Sequence, residues 1–181
     1  MSNLPRLIGL VGYQRVGKTT TAKLLEEQHG YTWTRFAGPL KDMLRVLGLT
    51  DHELDGPLKN EPCALLGGKT PVQAMQTLGT EWGRKMIYSD LWLDTWKRRV
   101  EDLLHLGEGV VVDDVRFGNE AAAIRTLGGE LWLVERPGFE RASAHESEAF
   151  VAEVKAMKVI INEGSMAQLS EAVNTALWRN Q

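Results

Sequence analysis

The sequence predicts an α/β fold with a central, mostly parallel five-stranded sheet flanked by helices. Three observations predict it. Five apolar runs, at 6–11, 31–36, 110–115, 130–135 and 158–162, have the length and composition of buried strands. Amphipathic segments separate them, and buried strands alternating with helices indicate a parallel sheet. The first run leads into Gly12-Tyr13-Gln14-Arg15-Val16-Gly17-Lys18-Thr19, a G-x-x-x-x-G-K-[ST] loop set between a strand and a helix.

Bulk properties bound the reading. A chain of 181 residues fits one domain with its own core. With 21 Lys and Arg against 24 Asp and Glu the formal charge is −3, so no global field draws it to polymeric nucleic acid or an anionic membrane. No apolar stretch approaches the roughly 20 residues of a membrane span, and the N-terminus lacks a signal peptide's apolar core. The single Cys63 cannot form an internal disulfide, which suits a reducing cytoplasm. A cytoplasmic domain is expected, with neither nucleic acid nor membrane as partner; a homodimer stays open.

In chain order, the loop comes first. Backbone N–H groups of a Gly-rich turn opening a helix cradle phosphate. Gly12, Arg15, Val16, Gly17, Lys18, Thr19 and Thr20 are therefore expected to surround a nucleotide's phosphates. Lys18 reaches the terminal phosphates, the Thr19 hydroxyl suits Mg²⁺, and Arg15 adds a cation near the transferred group. Gly38-Pro39 opens a helix whose stripe would be Leu40, Met43, Leu44 and Leu47, stopped by Gly48. Residues 51–70 are turn-rich. Their "GGKT" is no second phosphate loop, because the leading glycine's place holds Cys63 and no strand precedes it.

Residues 71–88, "PVQAMQTLGTEWGRKMIY", read as one amphipathic helix. At about 100° per residue Val72, Met75, Leu78, Trp82 and Met86 form its apolar side. Gln73, Thr77, Thr80, Arg84 and Tyr88 lie opposite, with Glu81 beside them. That polar set suits a nucleobase edge and a phosphate; a solvated outer face is the alternative. Gly79 and Gly83 share a flank, and each costs about 1 kcal/mol relative to alanine inside a helix, so a close neighbour is expected there.

"GVVVDDVRFGNEA", at 109–121, is a strand ending in two aspartates where such folds bind ligands. Adjacent strand residues face opposite ways, so the two do not share a job: Asp113 is assigned to the metal and Asp114 to the acceptor side, with the reverse assignment left open. Arg116 shares the face of Asp114 if the strand continues. Residues 134–150 leave a strand through Arg136-Pro137-Gly138 and carry Arg141 and His145. Arg136 and Arg141 suit a lid that closes over phosphates, whereas a cap or surface role fits His145 better than catalysis. Ser143 with Glu146 reads as a capping box. Ser165 caps a final helix with Met166, Leu169, Val173 and Leu177 as its stripe.

Taken together, "GYQRVGKTT", "FAGPLK" at 36–41, "MQTLGTEWGR" at 75–84, "DDVRFGNEA" at 113–121, "RPG" at 136–138 and "HESE" at 145–148 resemble the bacteriophage deoxynucleoside monophosphate kinase family. The likeness spans nearly the whole chain. It implies a P-loop kinase fold with a core over roughly 1–36, 107–136 and 157–181. A helical monophosphate-binding region over 37–106 and a lid over 137–150 complete it. It implies transfer of the ATP γ-phosphoryl group to a deoxynucleoside monophosphate, with Mg²⁺. By motif match Lys41, Arg84 and Arg116 contact the acceptor, and Gln76 and Glu81 lie near its base or sugar. Two departures stand out: Thr19 follows the loop lysine where the family often has Asp, and Val72 occupies a place where a basic residue is expected. Phosphomevalonate- or dephospho-coenzyme A-kinase-like activity, and a nucleotide switch that transfers nothing, are the competing readings.

Overall fold

The computed structural model describes residues 4–139 and 146–178, with backbone alone for 146–149. Each apolar run forms a strand: β1 Leu7–Val11, β2 Tyr31–Thr34, β3 Gly109–Val112, β4 Glu130–Glu135 and β5 Lys158–Ile161. Their order is β2-β3-β1-β4-β5, and every pairing is parallel. All five residues of β1 are buried, as the central strand of a sheet covered on both faces requires. β1 lies between β3 and β4, so the chain reverses its winding direction there. Ligands bind at the carboxyl ends of the strands at such a point.

Two compact units divide the chain, residues 1–35 with 99–181 and residues 36–98. The first holds the sheet with α1 Lys18–His29, α6 Gly118–Thr126, α7 Glu146–Glu153 and α8 Met166–Trp178. Its core packs Ile8, Leu10, Val111, Trp132 and Ile160 against Leu25 of α1 and Val173 of α8. Ser165 caps α8 by accepting the Gln168 N–H at 3.2 Å. Leu169, Val173 and Leu177 are buried as expected, but Met166, in the first turn, is exposed and Ala176 takes its place in the stripe.

The second unit contains α2 Gly38–Val46, α3 Asp51–Leu54, α4 Pro71–Gln76 and the first part of α5 Leu91–His105. Leu40, Leu44, Leu49, Leu54 and Trp92 form its core. α2 buries a narrower stripe than expected: Leu40 and Leu44, one turn apart, face inward, while Met43 and Leu47 are exposed. Residues 51–70 contribute α3 and two short 3₁₀ turns, 57–60 and 64–66. Glu53 fastens the start of α3, where hydrogen bonds from the Thr50 backbone and hydroxyl hold its carboxyl below the usual range.

One element departs from its expected form. The helix beginning at Pro71 is α only to Gln76, and Thr77–Ile87 winds as a π-helix. Its wider turn, with i→i+5 bonds, re-aims the second half. Gly79 and Gly83 face inward, while Trp82 and Met86, expected on the apolar stripe, are exposed. Trp92 accounts for the inward glycines. Its indole Nε1 donates to the Gly79 carbonyl at 2.8 Å, and a Cβ on Gly83 would lie 2.6 Å from that nitrogen. The close neighbour anticipated from the glycine pair is therefore the tryptophan of α5. Among the described residues no helix is long and apolar enough to cross a membrane.

Candidate functional site

The loop between β1 and α1 takes its shape from backbone that most residues avoid. Gly12 and Gly17 have φ of 152° and 110°, and Arg15 is held at φ 66°. The two glycines also sit where neighbouring strands close in: a Cβ on Gly12 would strike the Val134 carbonyl, and one on Gly17 the Asn162 amide. Lys18 folds back over the loop, donating to the carbonyls of Gly12 and Tyr13 at 2.7 Å each. Thr19 and Thr20 occupy the first turn of α1. Val16 is buried, and its carbonyl accepts from Asn162 Nδ2 at 2.8 Å. Asn162 Oδ1 in turn accepts the Gly164 N–H, so the end of β5 braces the loop.

Asp113 follows the last residue of β3 and is 4% exposed. Its Oδ2 accepts the Thr19 hydroxyl proton at 2.7 Å. Its Oδ1 accepts from Trp33 Nε1 at 2.9 Å and Arg35 Nε at 3.1 Å. Thr19 and Asp113 thus stand together as hard oxygen donors beside the cradle, a set that fits Mg²⁺.

Because β3 ends at Val112, strand alternation does not govern Asp114 and Arg116. Residues 113–117 form a loop instead, in which Asp114 is half-buried and Arg116 exposed. Glu120 shapes that loop. The residue is 4% exposed, and its carboxylate accepts the backbone N–H groups of Arg116 at 2.7 Å and Phe117 at 3.2 Å.

Arg136 lies past the end of β4, its guanidinium 4.7 Å from the Phe139 ring. With Tyr13, Val16, Pro137, Phe139 and Ile161 it lines a cavity of about 190 Å³. Arg141, His145 and Ser143 lie outside the described residues. Glu146 to Phe150, assigned to the lid, belong to α7.

In the second unit, Gln76 ends α4 and Thr80 is exposed on the π-helix. Glu81 points outward, both its oxygens accepting from Lys85 Nζ at 2.9 Å. Arg84 is half-buried. Lys41 is ion-paired with Asp55. Beside it, Arg45 meets Asp42 and Asp51, and its hydrogen bond to Asp51 pushes the guanidinium pKa further up.

The structure gathers Gly12, Val16, Gly17, Lys18, Thr19, Asp113 and Arg136 within the first unit, while Lys41, Gln76, Thr80, Glu81 and Arg84 belong to the second. Sequence reasoning missed Trp33, Arg35, Glu120 and Asn162. Glu120 and Asn162 are buried although their sequence neighbours Asn119, Ile161 and Glu163 are exposed, so no local pattern marked them. Trp33 and Arg35 carried no signal either, because the register of β2 on β3 decides what they meet.

Comparison with known proteins bears on this arrangement. A model of the deoxynucleotide monophosphate kinase family matches residues 72–173. A protein of Acanthamoeba polyphaga mimivirus, provisionally named a deoxynucleotide monophosphate kinase, is 32% identical over 167 residues, covering 86% of each chain. The deoxynucleotide monophosphate kinase of Enterobacteria phage T4 is 22% identical, covering 95% of this chain and 98% of its own. Among solved structures, shikimate kinase from Aquifex aeolicus aligns over 96% of this chain and 97% of its own with a TM-score of 0.52 at 12% identity. That last likeness is one of fold alone, and the fold is that of the P-loop kinases.

Proposed function

The chain belongs to the deoxynucleotide monophosphate kinase family, and from that premise we propose that it transfers the γ-phosphoryl group of ATP to the 5′-phosphate of a deoxynucleoside monophosphate. The products would be ADP and a deoxynucleoside diphosphate, formed by direct in-line displacement. One observation carries the reading: a phosphate loop whose Thr19 is hydrogen-bonded to a buried carboxylate at the end of a parallel strand. Thr19 and Asp113 would hold Mg²⁺, which when bound neutralises charge on the donor's phosphates.

The chain's own groups do the rest. Lys18 would exchange the Gly12 and Tyr13 carbonyls for phosphate oxygens, at little reorganisation because its ammonium already sits over the loop. Arg15 and Arg136 would add positive charge where the transferred group is most anionic, with Arg141 a further candidate. The cavity beside Tyr13, Val16 and Phe139 suits the flat donor base. For the acceptor, Lys41, Arg84 and Arg116 would hold the monophosphate, arginine doing so bidentately. Gln76, Thr80, Glu81 and Asp114 would address its base and sugar. Lys41 would leave Asp55, and Glu81 would leave Lys85, when substrate arrives.

Two substitutions test this. Lys18→Ala removes a preorganised cation and should cut turnover by on the order of 10²–10³ without unfolding the chain. Arg84→Ala should raise the acceptor's KM and leave ATP binding nearly unchanged. Calorimetry in which Arg84→Ala weakens ATP and acceptor alike would contradict the placement.

A further inference from the structure

The end of β2 supplies two residues that belong to neither nucleotide motif, and both close on Asp113. The β2–β3 register sets Trp33 beside Val111 and Thr34 beside Val112. Trp33 lies in β2 and Arg35 is the first residue past its end, and both reach the carboxylate just past the end of β3. Trp33 Nε1 and Arg35 Nε donate to the same oxygen, Oδ1, at 2.9 and 3.1 Å. The Arg35 guanidinium also stacks 4.3 Å from the centre of the Trp33 ring. The indole therefore holds the carboxylate with its N–H and the cation with its face. The Asp113 side chain is 3% exposed and that of Arg35 19%, so the pair is shielded from water.

We infer that Trp33 and Arg35 are the positioning residues of the metal site: they hold Asp113, and through it Thr19, for the magnesium ion of the bound nucleotide. This rests on the nucleotide reading of the loop. With Oδ1 occupied by two donors, one of them cationic, a divalent ion approaching that oxygen would meet the guanidinium, and like charges repel. Oδ2 alone faces the loop, where it accepts the Thr19 proton. A hydroxyl that donates its proton to a carboxylate keeps only lone pairs for a cation, the state a metal ligand needs. The arrangement also explains why the residue is arginine. A lysine has no planar fork with which to stack on the indole while donating through an in-plane N–H.

Calorimetry of ADP binding with and without Mg²⁺ tests this on the full chain carrying Trp33→Phe or Arg35→Lys. Trp33→Phe keeps an aromatic ring for Arg35 but removes the N–H, together with the second ring of the indole. Both variants should bind metal-free ADP within about twofold of the unsubstituted chain. The Mg²⁺ concentration that half-tightens ADP binding should rise about tenfold, the lower end of what outer-shell losses cost. An unchanged Mg²⁺ dependence in both variants overturns the inference. So does an equal loss of metal-free and Mg²⁺-dependent binding, which would mark a purely structural role. If Arg35→Lys does not fold, Trp33→Phe decides alone. Failure of the unsubstituted chain to bind ADP would instead overturn the nucleotide reading itself.

Discussion

Arg15 occupies the left-handed region at φ 66°, where a residue with a Cβ is strained by about 1–2 kcal/mol. Glycine would relax that strain but adds freedom to the unfolded chain worth about 0.5–1 kcal/mol. Arg15→Gly should therefore leave stability unchanged or raised by up to about 1.5 kcal/mol. Turnover should fall nonetheless, because the cation is lost. Urea unfolding beside a rate measurement checks both halves; a destabilised variant of normal rate would contradict each. Tyr31 gives a pH-dependent counterpart. Its hydroxyl donates to the Pro5 carbonyl at 2.7 Å, and burial, then the charge of Glu130, pushes the phenol from 10.0 up to about 12. A raised folded pKa means a contribution complete below pH 10 that drains away as pH rises toward 12. Between pH 8 and 11 the chain should lose on the order of 1–2 kcal/mol that Tyr31→Phe does not lose. Equal losses in the two would refute it.

The strands and the π-helix show what a linear pattern can and cannot carry. Strands buried on both faces are continuous apolar runs, so 110–112 and 131–134 were readable without knowing their neighbours. The π-helix was not readable, because a wheel drawn at α-helical spacing assumes the winding it is meant to test. Only the glycine pair hinted at it, and its meaning came from Trp92, nine residues past Gly83. Gly83→Ala should be destabilising well beyond helix propensity, which would favour alanine. The new methyl would lie 2.7 Å from Trp92 Cζ2, and overpacking of this kind costs about 1–3 kcal/mol. Thermal unfolding of Gly83→Ala alone and with Trp92→Ala decides the cause: the larger penalty should vanish once the indole is gone. If it persists, Trp92 is not the reason for the glycine.

Across the whole chain, the proposed donor groups come from the carboxyl ends of β1, β3 and β4, braced from β5, all within one compact unit. That half of the site was largely legible, since Gly12 to Thr20 are contiguous and Asp113 ends an apolar run. Its supports were not. Asn162 lies 146 residues from Val16, and Trp33 is 80 from Asp113, separations that only the sheet's pairing resolves. The proposed acceptor groups run from Lys41 to Arg116 in sequence; Thr80, Glu81, Arg84 and Asp114 were proposed from periodicity and strand position, Lys41 and Gln76 from family resemblance alone. The net charge of −3 is consistent with a small anionic acceptor met by local cations rather than a polymer. The most direct measurement follows the γ-phosphoryl group of labelled ATP in the presence of deoxynucleoside monophosphates, dephospho-coenzyme A and phosphomevalonate, each offered separately. The label should appear in a deoxynucleoside diphosphate in step with ADP, and Lys18→Ala should suppress both. Label released only as inorganic phosphate, or carried only by one of the other acceptors, would contradict a deoxynucleoside monophosphate kinase.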